Sequence, residues 1–192
     1  MSKTSFKPGN MLYPLPVIMV TTKGTDRQGR ERDNIFTVAW TGTVCSAPAM
    51  VSISVRKERY SYELLESNPE FVINLVPENL VFATDYCGVK SGRDEDKFAK
   101  LHLTRGKAET VKVPVIEESP VNIECRVTQV LELGSHDMFL AEVTNVLVDE
   151  AYIDENNRFD MNRIGLAAYS HGEYFSLGEK LGSFGYSVRK KK

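Results

Sequence analysis

The sequence is poor in cysteine, and its three cysteines form no recognisable pattern. Cys45, Cys87 and Cys125 are an odd number, and no two of them have the CxxC spacing of a redox or zinc motif. A disulfide framework normally uses an even set of cysteines. We therefore expect three free thiols that pack as small apolar side chains, and Cys87, next to Gly88, is the one that could also contact a ligand.

Long apolar runs are missing as well. A membrane span needs roughly 18 consecutive apolar residues, and no stretch of that length occurs. Residues 1–8 have no apolar core of the kind found in secretion signals. We expect a cytoplasmic protein that does not bind membranes.

The chain has no excess charge of either sign. It contains 24 Lys and Arg against 26 Asp and Glu, so its net charge is −2. Such an even balance argues against a protein that binds nucleic acid through its phosphates. The only run of four like charges, residues 189–192, is expected to be a solvated tail.

Several motifs of known chemistry are absent. His102, His136 and His171 lie far apart and lack metal-ligand spacing, so we expect no metal site. The sequence has no GxSxG nucleophile elbow, no GxxxxGK[ST] phosphate loop and no strand-linked GxGxxG. A Rossmann dinucleotide domain is therefore not expected.

What the sequence does contain is a series of short β-branched runs separated by turn residues. A chain of 192 residues suits one domain, residues 1–192. We predict an exposed hairpin connection at 23–30 and strands at 17–22, 35–39, 50–55, 71–75, 121–133 and 138–148. Many short strands of this kind predict an antiparallel sandwich or barrel.

Three segments break the β pattern, and helices are predicted at 61–66, 79–86 and 94–100. In the third helix, Ser91 or Asp94 is expected to cap the start, where the early acids suit the positive end of the helix dipole. The predicted fold class is therefore mainly β with flanking helices.

Residues 34–44, which cover a predicted strand and the segment after it, have an unusual composition. They combine three threonines and Gly42 with the only tryptophan, Trp40. Small residues and glycine allow a planar ligand to approach the backbone, whose N–H and C=O groups can read a heteroaromatic edge. The alternative is an ordinary barrel strand with Trp40 in the core.

Two further segments have features of a phosphate site. Residues 52–61 end in basic side chains and in Ser61 at a predicted helix start, where free N–H groups favour an anion. Residues 91–97 offer Ser91, backbone amides and Lys97. Each segment alone is also compatible with solvated surface charges. Together with residues 34–44, these two segments indicate a phosphorylated, planar aromatic ligand.

The order of these motifs resembles the flavin reductase-like family of FMN-binding split barrels, and the flavoredoxin group in particular. The resemblance is carried by Asn34-x-x-Thr37-x-Ala39-Trp40, Ser52-x-Ser54-x-Arg56, Asn74 and Ser91-Gly-x-Asp-x-Asp-Lys97-Phe98, and it covers nearly the whole chain. It implies an antiparallel split β-barrel with flanking helices. It also implies a homodimer that holds FMN near the subunit interface without a covalent link.

The same resemblance implies which residues hold FMN. Those expected along the ring and the ribityl chain are Asn34, Thr37, Val38, Ala39, Trp40 and Thr41. Those expected near the ribityl and phosphate groups are Ser54, Arg56, Ser61, Gly88, Ser91 and Lys97, with Tyr169 or Tyr174 covering the ring. Because the redox chemistry belongs to the flavin, no catalytic side chain is expected.

Three hypotheses about function remain open at this point. The first is an oxidoreductase that takes electrons from NAD(P)H and passes them to free flavin or another acceptor. The second is an electron carrier that a partner redox protein reduces. The third is a flavin-binding protein without a redox partner.

Overall fold

The structure is a computed structural model that describes residues 1–189. Residues 190–192, which belong to the predicted solvated tail, lie outside the described residues. In the described part of the chain no helix is both long and apolar enough to cross a membrane.

The secondary structure of residues 1–189 is mainly β. The strands are β1 Leu15–Pro16, β2 Ile18–Thr25, β3 Glu31–Val38, β4 Thr41–Ser46, β5 Ala49–Val55, β6 Glu70–Leu75, β7 Arg105–Gly106, β8 Val115–Ile116, β9 Val121–Glu132, β10 Asp137–Val148, β11 Ala167–Ser170 and β12 Glu173–Ser176. The α-helices are α1 Tyr60–Ser67, α2 Val81–Val89 and α3 Lys97–Leu101, with short 3-10 turns at Glu78–Leu80, Glu150–Tyr152, Met161–Arg163 and Tyr186–Val188.

Seven strands form one antiparallel sheet in the order β3-β2-β6-β9-β10-β5-β4. The sheet curls back on itself, because the Ser54 N–H of β5 donates to the Trp40 carbonyl just after β3, at 2.9 Å. Alternate side chains of the strands, among them Val20, Ile53 and Phe71, fill the interior of this barrel. The predicted mainly β, antiparallel barrel with flanking helices is confirmed.

The six predicted strands correspond to β2, β3, β5, β6, β9 and β10. Strand β4 was not predicted, because residues 41–46 lack a period-two apolar pattern and three of their side chains are exposed. The hairpin between β2 and β3 is shorter than expected. Asp26 in this turn is buried rather than exposed, and its carboxylate accepts hydrogen bonds from the backbone N–H groups of Gln28 and Arg30.

The third helix begins later than predicted. It starts at Lys97, and its cap is Asp96, whose carboxylate accepts from the Ala99 N–H at 3.2 Å. Ser91 and Asp94 do not cap it, because they close a separate turn in which the Asp94 N–H donates to the Ser91 carbonyl. The acids of this stretch therefore belong mostly to a loop that leads into a short helix.

A second apolar cluster holds α2 and α3 against the outer face of β2 and β3. Ile35 from β3 packs there with Ala83 and Cys87 of α2 and with Phe98 of α3. The neighbouring Phe36 points into the barrel, as strand alternation requires. The end of α2 and the loop before α3 therefore lie beside β3, where the hydrogen bond from Asn34 to Ser61 also holds the start of α1.

Asn74 of β6 joins four strands through its fully buried side-chain amide. Its Nδ2 donates to the Met19 carbonyl of β2 at 3.1 Å. Its Oδ1 accepts from the Ile116 N–H of β8 at 3.0 Å and from Asn122 Nδ2 of β9 at 2.8 Å. Loss of this amide would leave buried polar groups without partners.

We predict that Asn74→Ala lowers the free energy of unfolding by about 1–3 kcal/mol, because buried donors and acceptors lose their partners. Urea denaturation followed by circular dichroism measures the change. The matched control is Asn156→Ala in an exposed loop, which should stay within about 0.5 kcal/mol of the parent protein. Equal stability of the two variants would contradict the prediction.

Candidate functional site

Two connected cavities lie beside β3, between the start of α1 and the end of α2. One, the cationic cavity, has a volume of about 510 Å³ and contains Arg56, Arg59, Lys90, Arg93 and Lys97 with a single acid, Glu58. The other, the aromatic cavity, has a volume of about 500 Å³ and contains Trp40, Tyr169 and Tyr174. Four residues line both cavities: Phe36, Arg56, Arg59 and Val89.

Lys97 is the most buried cation of the cationic cavity, with 3% of its surface exposed. Its Nζ donates to the Ile35 carbonyl at 2.7 Å and to the Cys87 carbonyl at 2.9 Å. Since an ammonium group has three donors, one N–H remains for a ligand. Burial lowers the pKa of Lys97 from its ordinary value to about 8.

Ser61 lies in the first turn of α1 and is buried. Its Oγ accepts from Asn34 Nδ2 at 2.9 Å and from Thr22 Oγ1 at 3.1 Å, so its own hydroxyl proton is available to another acceptor. Among the described residues no side chain caps α1 at Arg59. The uncapped N–H groups and the positive end of the helix dipole favour an anion at this point.

The loop between α2 and α3 is held close to β3. The Ser91 Oγ accepts from the Arg93 N–H at 3.2 Å. A Cβ on Gly92 would lie 2.1 Å from the Oδ1 of Asn34, so only glycine fits there without displacing Asn34. This packing fixes the turn that carries Ser91 and Arg93 at the cavity.

One wall of the aromatic cavity is the end of β3 together with α2. Thr37, Val38 and Ala39 line it, and the Thr37 hydroxyl donates to the Thr84 carbonyl of α2. A Cβ on Gly88 would lie 3.3 Å from the Thr37 Cβ, so a larger residue there would press on this wall. The small side chains give a ligand access to the backbone of the strand.

Trp40 does not fill the core, because 41% of its surface is exposed. Its ring stacks on His136, at the tip of the β9–β10 hairpin, with 6.2 Å between ring centroids and 14° between ring planes. The pair stands at the mouth of the aromatic cavity. The interpretation of residues 34–44 as an ordinary strand with a core tryptophan is therefore wrong.

Tyr169 and Tyr174, from β11 and β12, form the opposite wall, with 5.7 Å between their ring centroids. The Tyr174 hydroxyl donates to Asp85 Oδ1 at 3.0 Å, which ties this wall to α2. Burial, together with the neighbouring Asp85 carboxylate, raises the pKa of Tyr174 to about 12. The phenol therefore stays protonated at neutral pH.

Every residue that the sequence nominated, except Thr41, lines one of the two cavities. Asn34, Ser61, Ser91 and Lys97 line the cationic cavity. The aromatic cavity is lined by Thr37, Val38, Ala39, Trp40, Ser54, Gly88 and Tyr169, and Arg56 lines both cavities. Thr41 instead donates to the Ser52 carbonyl at 2.8 Å and lines an adjoining, largely apolar cavity, which shares Asn10, Ala39, Trp40 and Ser54 with the aromatic cavity.

Sequence reasoning missed several residues of the two cavities. Arg59 and Arg93 lie within the two proposed phosphate segments, 52–61 and 91–97, and Lys90 lies just before the second, but none of the three was nominated individually, although all line the cationic cavity. Asp85 and His136 gave no signal, because the residues that they contact, Tyr174 and Trp40, lie far away along the chain. Tertiary contacts alone reveal them.

The three thiols are free, as predicted. Cys87 and Cys125 are buried, and Cys45 is half-buried. Cys87 borders the cationic cavity, and burial raises the pKa of its thiol to about 11. Cys87 therefore acts as a small packed side chain rather than as a nucleophile.

In residues 1–189 no three His, Cys, Asp or Glu side chains are grouped so that they could hold a metal ion.

Comparison with known proteins places the chain among flavoproteins of one fold. Residues 10–178 match the model of the flavin reductase like domain. The structure is similar to flavoredoxin of Desulfovibrio vulgaris (Miyazaki F), with a TM-score of 0.86 and 32% identity over 98% of this chain and 100% of that chain.

Two further relatives agree with this placement. An uncharacterized protein of Archaeoglobus fulgidus is 30% identical over 165 residues, which are 86% of this chain and 89% of that protein. A protein with a split barrel domain from Shewanella frigidimarina has a TM-score of 0.77 at 20% identity, over 90% of this chain and 86% of its own, and so shares the fold. The chain therefore belongs to the flavin reductase like domain family, with the split-barrel fold that the resemblance implied.

Proposed function

We propose that the chain is an FMN-binding oxidoreductase. The observation that carries this proposal is the pairing of the two cavities, since one is rich in cations and hydroxyls and the other is walled by aromatic and small side chains. They meet at Phe36 and Val89, so one ligand can place a phosphate in the first cavity and a planar ring in the second.

The residues present suit FMN. A phosphate carries close to two negative charges at neutral pH, and five cations against one acid line the cationic cavity. The Ser61 hydroxyl, the free Lys97 N–H and the start of α1 can each donate to it. In the aromatic cavity the backbone of residues 37–40 is open to the edge of a planar ring.

When bound, FMN supplies the electron-transfer chemistry. The part of the protein is to bind and orient. Asn34 holds Ser61, Lys97 ties β3 to α2, and the tyrosines of β11 and β12 exclude water from one side of the aromatic cavity. We propose no catalytic side chain, because no step assigned here requires a protein acid or base.

The electron donor in this proposal is NAD(P)H, with free flavin or another small acceptor downstream. A second candidate is an electron carrier that a redox protein reduces. The likeness to flavoredoxin over the full length of that chain, at 32% identity, favours this second candidate.

We further propose that residues 1–192 form one cytoplasmic domain that assembles as a homodimer. The family match over residues 10–178 supports the single domain.

Reduction kinetics separate the two candidates. Anaerobic stopped-flow absorbance of the FMN-loaded protein should show rapid bleaching on mixing with NADH or NADPH. If neither nucleotide bleaches the protein and a ferredoxin-type donor does, the carrier function holds instead. A purified protein that is colourless and fails to bind added FMN would contradict both candidates.

We predict that Lys97→Met weakens FMN binding by about 5- to 150-fold, the equivalent of about 1–3 kcal/mol for a charge-assisted hydrogen bond. Flavin fluorescence titration measures the dissociation constant. Riboflavin, which lacks the phosphate, is the matched control and should bind both proteins alike. Equal losses for FMN and riboflavin would mean that Lys97 supports only the fold.

The pH dependence of binding follows from the same lysine. Because burial lowers the pKa of Lys97 to about 8, its positive charge is present below that pH and is lost above it. The phosphate is already doubly charged above about pH 7. The affinity for FMN, divided by that for riboflavin, should therefore fall as the pH rises from about 7 to about 9.5. Lys97→Arg, whose side chain stays charged, should make this affinity ratio nearly independent of pH. If the ratio falls as steeply in Lys97→Arg as in the parent protein, titration of Lys97 is not the cause of the pH dependence.

A further inference from the structure

A third cavity lies beyond the phosphate end of the proposed FMN site. It has a volume of about 400 Å³, and Tyr60, Gly92 and Arg93 line both it and the cationic cavity. Five carboxylates line it, those of Glu31, Asp33, Asp94, Glu95 and Asp96, and we call it the acidic cavity. A ligand that extends past its first phosphate in this direction must pass Arg93.

Arg93 is held at this boundary by three partners. Its Nη2 lies 3.1 Å from Glu63 Oε1, and the Glu63 side chain is only 6% exposed. Its Nη1 donates to the Glu58 carbonyl at 3.2 Å, and its guanidinium lies 5.3 Å from the centre of the Tyr60 ring. The guanidinium is therefore anchored to the start of α1 although it is partly open to solvent.

The backbone of Arg93 is fixed as well. Its N–H donates to the Ser91 Oγ, and the preceding Gly92 is packed against Asn34. Movement of Arg93 away from the boundary would break contacts at both ends of the residue. Arg93 is thus preorganised between the two cavities rather than free on the surface.

The charges on the two sides of Arg93 differ sharply. The cationic cavity has one carboxylate against five cations, whereas the acidic cavity has five carboxylates against three arginines besides Arg93. Ion pairs engage Arg105 with Asp33 and Asp96, Arg30 with Asp26, and Glu31 with Lys23. Among the described residues, Asp94 and Glu95 are the carboxylates of this cavity that have no ion pair, and Arg32 is its one arginine without one. A second phosphate group would meet carboxylates there, and like charges brought together cost affinity.

We propose that Arg93 is the specificity-determining residue that selects FMN over FAD. Arg93 closes the phosphate end of the cationic cavity, so the monophosphate of FMN would be the last group of the ligand and would contact Arg93. The diphosphate and adenosine of FAD would instead have to displace Arg93 and enter the acidic cavity. This inference rests on the proposed function, because it assumes that the phosphate of a flavin lies in the cationic cavity.

The test compares the dissociation constants of riboflavin, FMN and FAD for the parent protein and for Arg93→Ala, measured by fluorescence titration. The parent should bind FMN at least about tenfold more tightly than FAD. Arg93→Ala should reduce that preference at least about fivefold and leave the riboflavin affinity unchanged. The matched control, Arg32→Ala, removes an arginine that lines only the acidic cavity and should keep the parent preference.

A second variant covers the case in which Arg93→Ala does not fold. Glu63→Gln keeps the size of the side chain but removes the charge that anchors Arg93, so it should also lower the preference for FMN. Equal affinities of the parent for FMN and FAD, or an unchanged preference in the folded variants, would overturn this inference and leave the proposed function intact. Failure of both nucleotides to bind the parent would overturn the proposed function and this inference with it.

Discussion

The arrangement of the site depends on one buried ammonium group. Lys97 donates to the Ile35 carbonyl of β3 and to the Cys87 carbonyl of α2, and in residues 1–189 it forms no salt bridge. A buried charge is costly unless hydrogen bonds compensate it. Because two of its protons already serve backbone carbonyls, Lys97 holds strand and helix at a fixed separation while it keeps one donor for the cavity. The lowered pKa is the electrostatic consequence of that burial.

The division of charge around this lysine gives the site its polarity. Cations gather between the start of α1 and the loop before α3, and neutral side chains line the end of β3. Carboxylates lie on the far side of Arg93. A ligand with an anionic end and a planar neutral end therefore has one favourable orientation. Such preorganisation lowers the entropic cost of ordering the protein side chains when the ligand binds.

Local patterns were sufficient for the strands and for two candidate phosphate segments, whereas most residues of the proposed site were nominated by the family resemblance. Alternation along 50–55 and 71–75 predicted β5 and β6, and hydroxyl and basic residues near predicted helix starts indicated Ser61 and Lys97. The third helix was placed too early, because a run of acids is equally compatible with a helix start and with a loop. Only the hydrogen bond from the Ala99 N–H to Asp96 distinguishes the two.

The amino-acid sequence by itself determined the strand periodicity, the balanced charge, the free thiols and the residue types that a phosphorylated planar ligand needs. These properties are local or additive, so they can be read without knowing which segments meet. The tertiary structure alone decided that Trp40 stacks on His136 beside the aromatic cavity, that Thr41 lines only an adjoining cavity, and that Arg93 stands between a cationic and an acidic cavity. Each of these depends on contacts between segments distant in the chain, and barrel closure brings those segments together.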